Sequence, residues 1–366
     1  MTARTRVYLT VDVECAEERR RGRRLLPAQD YELRVWGRFR NQKHDLGIGL
    51  IMRELEVHGF RATFFTEALG AETFGIDGLR QVIGELRARG HDVQLHAHPI
   101  QRCGRYRSLG REPASDDIGA YALDEQTALL REAIDILVRC GVPRADVRAF
   151  RAGNYGANND TWAAMASVGL GVSSSFNPCY FDKNCRLIFP SSRSGLFRAE
   201  HGVFELPISN FVEHDGTHRH LQITAVSLPE MTRHLWEARR LGIAEVTIVT
   251  HSFELLHVDS IEQRLGRVNS VNLLRLRGLC SFLRQHEHEF EVDTVGALAA
   301  RLRETGPGSP DGAREMPKGR RRDRVRRLFE QAVKRVEARL PFNAPMILPH
   351  MPPDVPQMPR AAPRSP

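Results

Sequence analysis

Four apolar runs in this 366-residue chain break off at residues that carry chemistry, and that repetition limits the folds open to it. The run at 7–14, VYLTVDVE, ends in Asp12 and Glu14, and the run at 92–98, DVQLHAH, ends in His96 and His98. A third, at 149–153, carries Arg151, and a fourth, EVTIVTH at 245–251, ends in His251. On a strand, side chains two apart project from one face. Asp12 and Glu14 therefore share a direction, as do His96 and His98, whose Cα atoms stand about 6.6 Å apart. A parallel sheet collects strand ends of one polarity, which brings the four endings to a single mouth.

Helical patterns fill the intervals. Helices are predicted at 45–58, at 77–90, where Leu79, Val82, Ile83 and Leu86 share a face and Gly90 stops the run, and at 123–140, acid-rich early and apolar along Leu130, Ile134, Leu137 and Val138. Further helices are predicted at 161–168, 229–241 and 271–285, and further strands at 62–66, 171–176, 204–208 and 289–295. Strand–helix alternation of this length argues for an α/β chain whose parallel sheet closes, or nearly closes, into a (β/α) barrel; a doubly wound sheet is the alternative.

With 41% hydrophobic residues the chain has an ordinary globular composition. No window approaches the roughly 18 apolar residues of a membrane span, and no apolar leader precedes the first strand, so a cytoplasmic protein is expected. Six cysteines without a CxxC pair suit reduced thiols, with a clip between Cys179 and Cys185 as the lesser alternative.

Charge is unevenly placed. Residues 301–366 hold 15 of the 53 Lys and Arg but only 7 of the 45 Asp and Glu, so the net +8 belongs to them and the first 300 residues balance at 38 of each sign. The body therefore gives no reason to expect a nucleic-acid partner. The run RRRGRR at 19–24 is expected to overhang the mouth, either to greet an acidic substrate or as plain solvated loop. The chain divides into a barrel at 1–303, a linker at 304–319, a basic amphipathic helix at 320–340 and a tail at 341–366 with nine prolines, which should not pack. Along the helix Val325, Leu328, Phe329, Ala332, Val333, Val336 and Leu340 form one face, suited to an anionic membrane surface or acidic partner, or to docking on the barrel.

Two imidazoles two apart at one strand end, beside a DxE at another, suit a divalent metal. Neutral imidazoles and a carboxylate make an open site for zinc or another first-row ion. His91, in the turn before its strand, is read as structural.

Taken in order, LTVDVE, ATFF, GHDVQLHAH, FRAGNYG, ELPIS and VTIVTHSFEL resemble the polysaccharide deacetylases of the NodB-homology, carbohydrate esterase family 4-like superfamily, over roughly 7–298. The resemblance implies a distorted (β/α) barrel and metal-dependent hydrolysis of an acetyl group on a sugar. It places the catalytic base on Asp12, a metal-binding acid on Glu14, a metal histidine on His96, the base-orienting arginine on Arg151 and the catalytic acid on His251, with Ile248 and Val249 as the acetyl-methyl pocket. The family commonly has two adjacent aspartates where this chain has Asp12 and Glu14. Its second metal histidine lies four residues on, where this chain has Ile100, so His98 takes that part. The proline and tyrosine expected after the arginine become Ala152-Gly153-Asn154-Tyr155, which leaves Asn154 and Tyr155 as substrate contacts. The family's aspartate-tryptophan motif has no clear counterpart.

Amide hydrolysis needs a nucleophile, a base, oxyanion stabilisation and an acid, and the mouth offers a group for each. The expected function is deacetylation of an acetylated sugar, N-acetylated and lipid- or nucleotide-linked, in surface polysaccharide or glycolipid assembly. Hydrolysis of another C–N amide such as a small cyclic amide, and a sugar-binding member without activity, are the alternatives.

Overall fold

The computed structural model describes residues 4–21, 24–102, 115–189, 194–305 and 315–338. Its main sheet has nine strands: β1 (Thr5–Val13), β2 (Thr63–Glu67), β3 (Asp92–Ala97), β4 (Ala149–Ala152), β5 (Val172–Ser173), β6 (Phe197–Arg198), β7 (Phe204–Glu205), β8 (Glu245–His251) and β9 (Phe290–Asp293). They run in the order β8-β1-β2-β3-β4-β5-β7-β6, and β9 joins β1. Only β6 is antiparallel to its neighbour.

β1, rich in β-branched residues, is the hub. One edge pairs with β8 from Arg6 opposite Glu245 to Asp12 opposite His251. The other edge is shared, Thr5–Tyr8 pairing with β9 and Thr10–Val13 with β2. Further round, Glu67 stands opposite His96, and His96 opposite Arg151. These registers put the four sequence endings at one level of the sheet.

The helices α1 (Ile48–Glu56), α2 (Ile76–Ala88), α3 (Leu123–Arg139), α4 (Asn159–Ser167), α5 (Leu228–Arg240) and α6 (Ser270–Gln285) cover the sheet's outer face, where Leu9, Val11 and Val13 join the main core. α7 (Val295–Thr305), which the sequence pattern merges with the last strand, packs Val295 and Leu298 against Tyr8, Phe65, Ala149 and Val172 in a second cluster. Between β7 and β8 the ladder is irregular. Leu221 N donates to Ser209 O at 2.8 Å, Val249 N to Leu221 O at 2.9 Å, and Ile223 N to Val249 O at 3.0 Å. A connecting segment thus spans the gap, and the sheet curls into a distorted (β/α) barrel.

The strands expected at 171–176 and 204–208 are only two residues long. Ser175 N and Phe176 N donate instead to the buried Glu205 carboxylate at 2.7 and 2.8 Å, which takes their backbone out of the ladder. The connection after β1 holds a short hairpin, Arg19–Arg21 with Arg24–Leu26, and a π-helix, Tyr31–Trp36, capped by Asp30. The side chains of 19–25, and with them the expected overhang, lie outside the described residues, as do Cys103 and the tail at 341–366. Cys15, Cys140, Cys179, Cys185 and Cys280 are free thiols.

The linker predicted at 304–319 ends in fixed chain: Val212 N donates to Pro317 O and Gly319 N to Val212 O, both at 2.9 Å. α8 (Arg321–Glu337) follows, anchored by Arg327, whose guanidinium bridges Glu230 at 2.7 Å and Glu213 at 2.8 Å. No described helix is long and apolar enough to cross a membrane.

Candidate metal and acid–base site

Glu14, His96 and His98 converge. Glu14 Oε2 lies 2.8 Å from His98 Nε2 and 4.0 Å from His96 Nε2, and the two rings meet edge to face at 4.9 Å. Each imidazole has its other nitrogen committed. His96 Nδ1 donates to the Arg151 carbonyl at 2.8 Å, and His98 Nδ1 to Asp116 Oδ2 at 2.9 Å. That leaves Nε2 of both rings directed at one carboxylate, the arrangement in which outer hydrogen bonds fix a metal-ligating tautomer. The donor set fits a divalent ion.

Electrostatics agree. Burial works against the charge on Glu14, but His98, through charge and hydrogen bond, and Arg34, 3.1 Å away, hold its carboxyl well below the usual range. Burial pulls His96 down to about 4, keeping it neutral. Burial pulls His98 the same way, yet Glu14 and Asp116 outweigh it and raise this imidazole well above its ordinary value. A cation entering here displaces the His98 proton.

Asp12, two residues before Glu14, belongs to a different group. Its Oδ1 accepts from Arg151 Nη1 at 2.6 Å, and its Oδ2 lies 3.9 Å from His251 Nε2. Arg151 is fully buried: Nε donates to Ser174 O, Nη2 donates to Ser174 Oγ, and the guanidinium lies 4.2 Å over the Phe65 ring.

His251 is held by Glu254, which the sequence reading did not single out. His251 Nδ1 donates to Glu254 Oε1 at 2.9 Å, and Glu254 in turn accepts from Thr250 Oγ1 at 2.9 Å and from Gln222. Burial lowers the affinity of His251 for its proton, but Glu254, with help from Asp12 and Glu14, more than compensates, and its pKa is raised to about 9. Glu254 is thus the carboxylate that orients His251 and favours its charged form.

The remaining expected residues are placed less uniformly. Val249 pairs with Thr10, on the face that Asp12 and His251 share; Ile248 pairs with Leu9 and turns outward to the helices, so it does not line the mouth. Asn154 donates to Asp116 Oδ2 at 2.8 Å and so supports His98. Tyr155 packs 5.3 Å from Tyr180, with a buried hydroxyl that has no partner among the described residues. Asn154 and Tyr155 both have left-handed backbone, φ 53° and 58°, a strained pair for non-glycine residues. His91 accepts from Ala62 N and pairs with Glu56, as a structural residue should.

A Cβ on Gly153 would stand 2.5 Å from His98 Nδ1, so the glycine gives that imidazole its space. Gly153→Ala is therefore expected to weaken divalent-ion binding about 10- to 100-fold, and His98→Ala to abolish stoichiometric binding, as read by zinc titration calorimetry.

No protein-family model and no curated protein matches this sequence. Among solved structures, a provisionally named glycoside hydrolase/deacetylase from Parabacteroides distasonis is similar over 84% of this chain and 73% of its own, at 12% identity and a TM-score of 0.54. A provisionally named polysaccharide deacetylase from Mycobacterium smegmatis matches 83% of this chain and 93% of its own at 15% identity and a TM-score of 0.47. The chitin deacetylase of Colletotrichum lindemuthianum matches 86% and 92% at 11% identity and a TM-score of 0.35. The strand registers and the likeness to the Parabacteroides structure lead to one conclusion: the chain has a distorted (β/α) barrel fold similar to that of the Parabacteroides protein.

Proposed function

We propose that the protein is a metal-dependent hydrolase that removes the acetyl group from an N-acetylated sugar, working in the cytoplasm on a lipid- or nucleotide-linked saccharide in surface polysaccharide or glycolipid assembly. The observation that carries this reading is the position of Asp12, a buried carboxylate set between Arg151 and His251, beside the Glu14, His96 and His98 group.

Glu14, His96 and His98 would hold the ion, zinc being the expected one. When bound, it supplies Lewis acidity, which polarises the acyl oxygen and makes water a nucleophile near neutral pH. Asp12 accepts the proton of the attacking water. Arg151 aims that carboxylate through a charge-assisted hydrogen bond. His251, charged through Glu254, gives its proton to the departing nitrogen. Val249, below His251, would meet the acetyl methyl.

The direct test is acetate release from N-acetylated mono- and oligosaccharides by the zinc-loaded protein. Release that chelation abolishes supports the reading. Turnover confined to small cyclic amides would replace it. A pH profile supplies a second check. An acid with a pKa near 9 stays protonated until pH rises through that value, so the alkaline limb of kcat/KM is expected near 9. Glu254→Gln removes the charge that raises it, and the limb should then fall toward the ordinary histidine value of about 6.5.

A further inference from the structure

The final helix is amphipathic, and the protein turns its apolar side outward. Asp323, Arg327, Glu330, Lys334 and Glu337 fall on one face and fasten α8 to its neighbours: Asp323 to Arg233, Glu330 to Arg275, Lys334 to Thr224 and Glu337 to Ser270. The opposite face carries Val325, Leu328, Phe329 and Val336, which are 66, 53, 69 and 54% exposed. They form one stripe at helical spacing, with Ala332 among them.

The charges around the stripe are positive. Arg321 and Arg335 lie beside it toward its two ends, without an ion pair among the described residues. Arg320, Arg321 and Arg322 crowd the helix N-terminus, where the dipole disfavours cations, so their placement does not serve the helix itself.

We propose that this face docks on the anionic phospholipid headgroups of a bilayer, with the apolar stripe in the acyl boundary and the arginines on the phosphates. Charge selects this occupant over two others. A symmetric pairing with a second copy would set one arginine-edged stripe against another. The chain beyond the helix, 339–366, carries Arg339, Arg360 and Arg364 against Asp354 alone, and so offers no negative surface in exchange. The inference stands on the helix alone, whatever reaction the mouth performs.

The test is flotation of the full-length protein with vesicles of phosphatidylcholine, with and without phosphatidylglycerol, at about 0.1 M salt. Wild type should float with the anionic vesicles only. Leu328→Glu/Phe329→Glu should lower the partition coefficient at least tenfold with an unchanged melting temperature, and Arg321→Glu/Arg335→Glu should also release the protein. Failure of wild type to bind anionic vesicles, equal binding to neutral ones, or a solution dimer that the Leu328→Glu/Phe329→Glu variant splits would each overturn the proposal.

Discussion

Replacing Asp12 by Asn is expected to lower turnover about 100- to 10,000-fold, the usual worth of a positioned general base, while divalent-ion content stays at the wild-type value. The geometry separates the two acids. Glu14 is the carboxylate that touches the imidazoles, whereas Asp12 is spent on Arg151 and faces His251. Asparagine keeps the volume and an oxygen for the Arg151 hydrogen bond, so the fold should tolerate it, but it cannot take a proton from water. Steady-state kinetics on an acetylated sugar, run beside elemental analysis of the same preparation, reads both quantities. Loss of the ion together with activity would mean that the two acids have exchanged parts.

Arg151→Met should destabilise the protein by about 3–5 kcal/mol, the cost of stranding one member of a buried ion pair. Arg151 is 0% exposed and Asp12 2%, so water cannot replace the lost guanidinium, and Ser174 loses both bonds it makes to it. At roughly 2–4 °C per kcal/mol for a domain of this class, the melting temperature should fall about 6–20 °C. Pairing the change with Asp12→Leu removes the orphaned carboxylate and should recover most of the loss. If the double variant melts no higher than the single one, the ion pair is not the source of the cost.

The parts of this site that lie within a few residues on one strand were legible in the sequence. DxE and HxH fix their own spacing, and an apolar run ending in His251 announces a strand end. Glu254 was not legible, because its contact with His251 depends on a non-helical turn after β8 that brings a residue three positions on back to the ring. Asp116 and Gly153 reach His98 from two other segments, and Arg34 reaches Glu14 from a π-helix, relations that no local pattern encodes. Ile248 failed for the opposite reason: adjacent residues on a strand cannot both face the mouth. In the final helix periodicity revealed two faces, but not which of them the barrel would hold, since buried ion pairs such as Arg327 with Glu213 and Glu230 won the inner side.

β1 is made first and finished last. Its partners along one edge are synthesised some 240 residues later, as Thr10 Oγ1 donating to Ile248 O at 3.1 Å shows. Until β8 has left the ribosome, the strand that carries Asp12 and Glu14 has one edge without its mate, and the shared edge still waits for β9. Such a sheet cannot mature piecemeal from its N-terminus. Loop closure over most of the chain precedes the reward, which makes for slow folding and a long interval with an open strand edge. Asp12 and His251 therefore meet only once β8 is in place, and a chain stalled before residue 251 holds half of that pair.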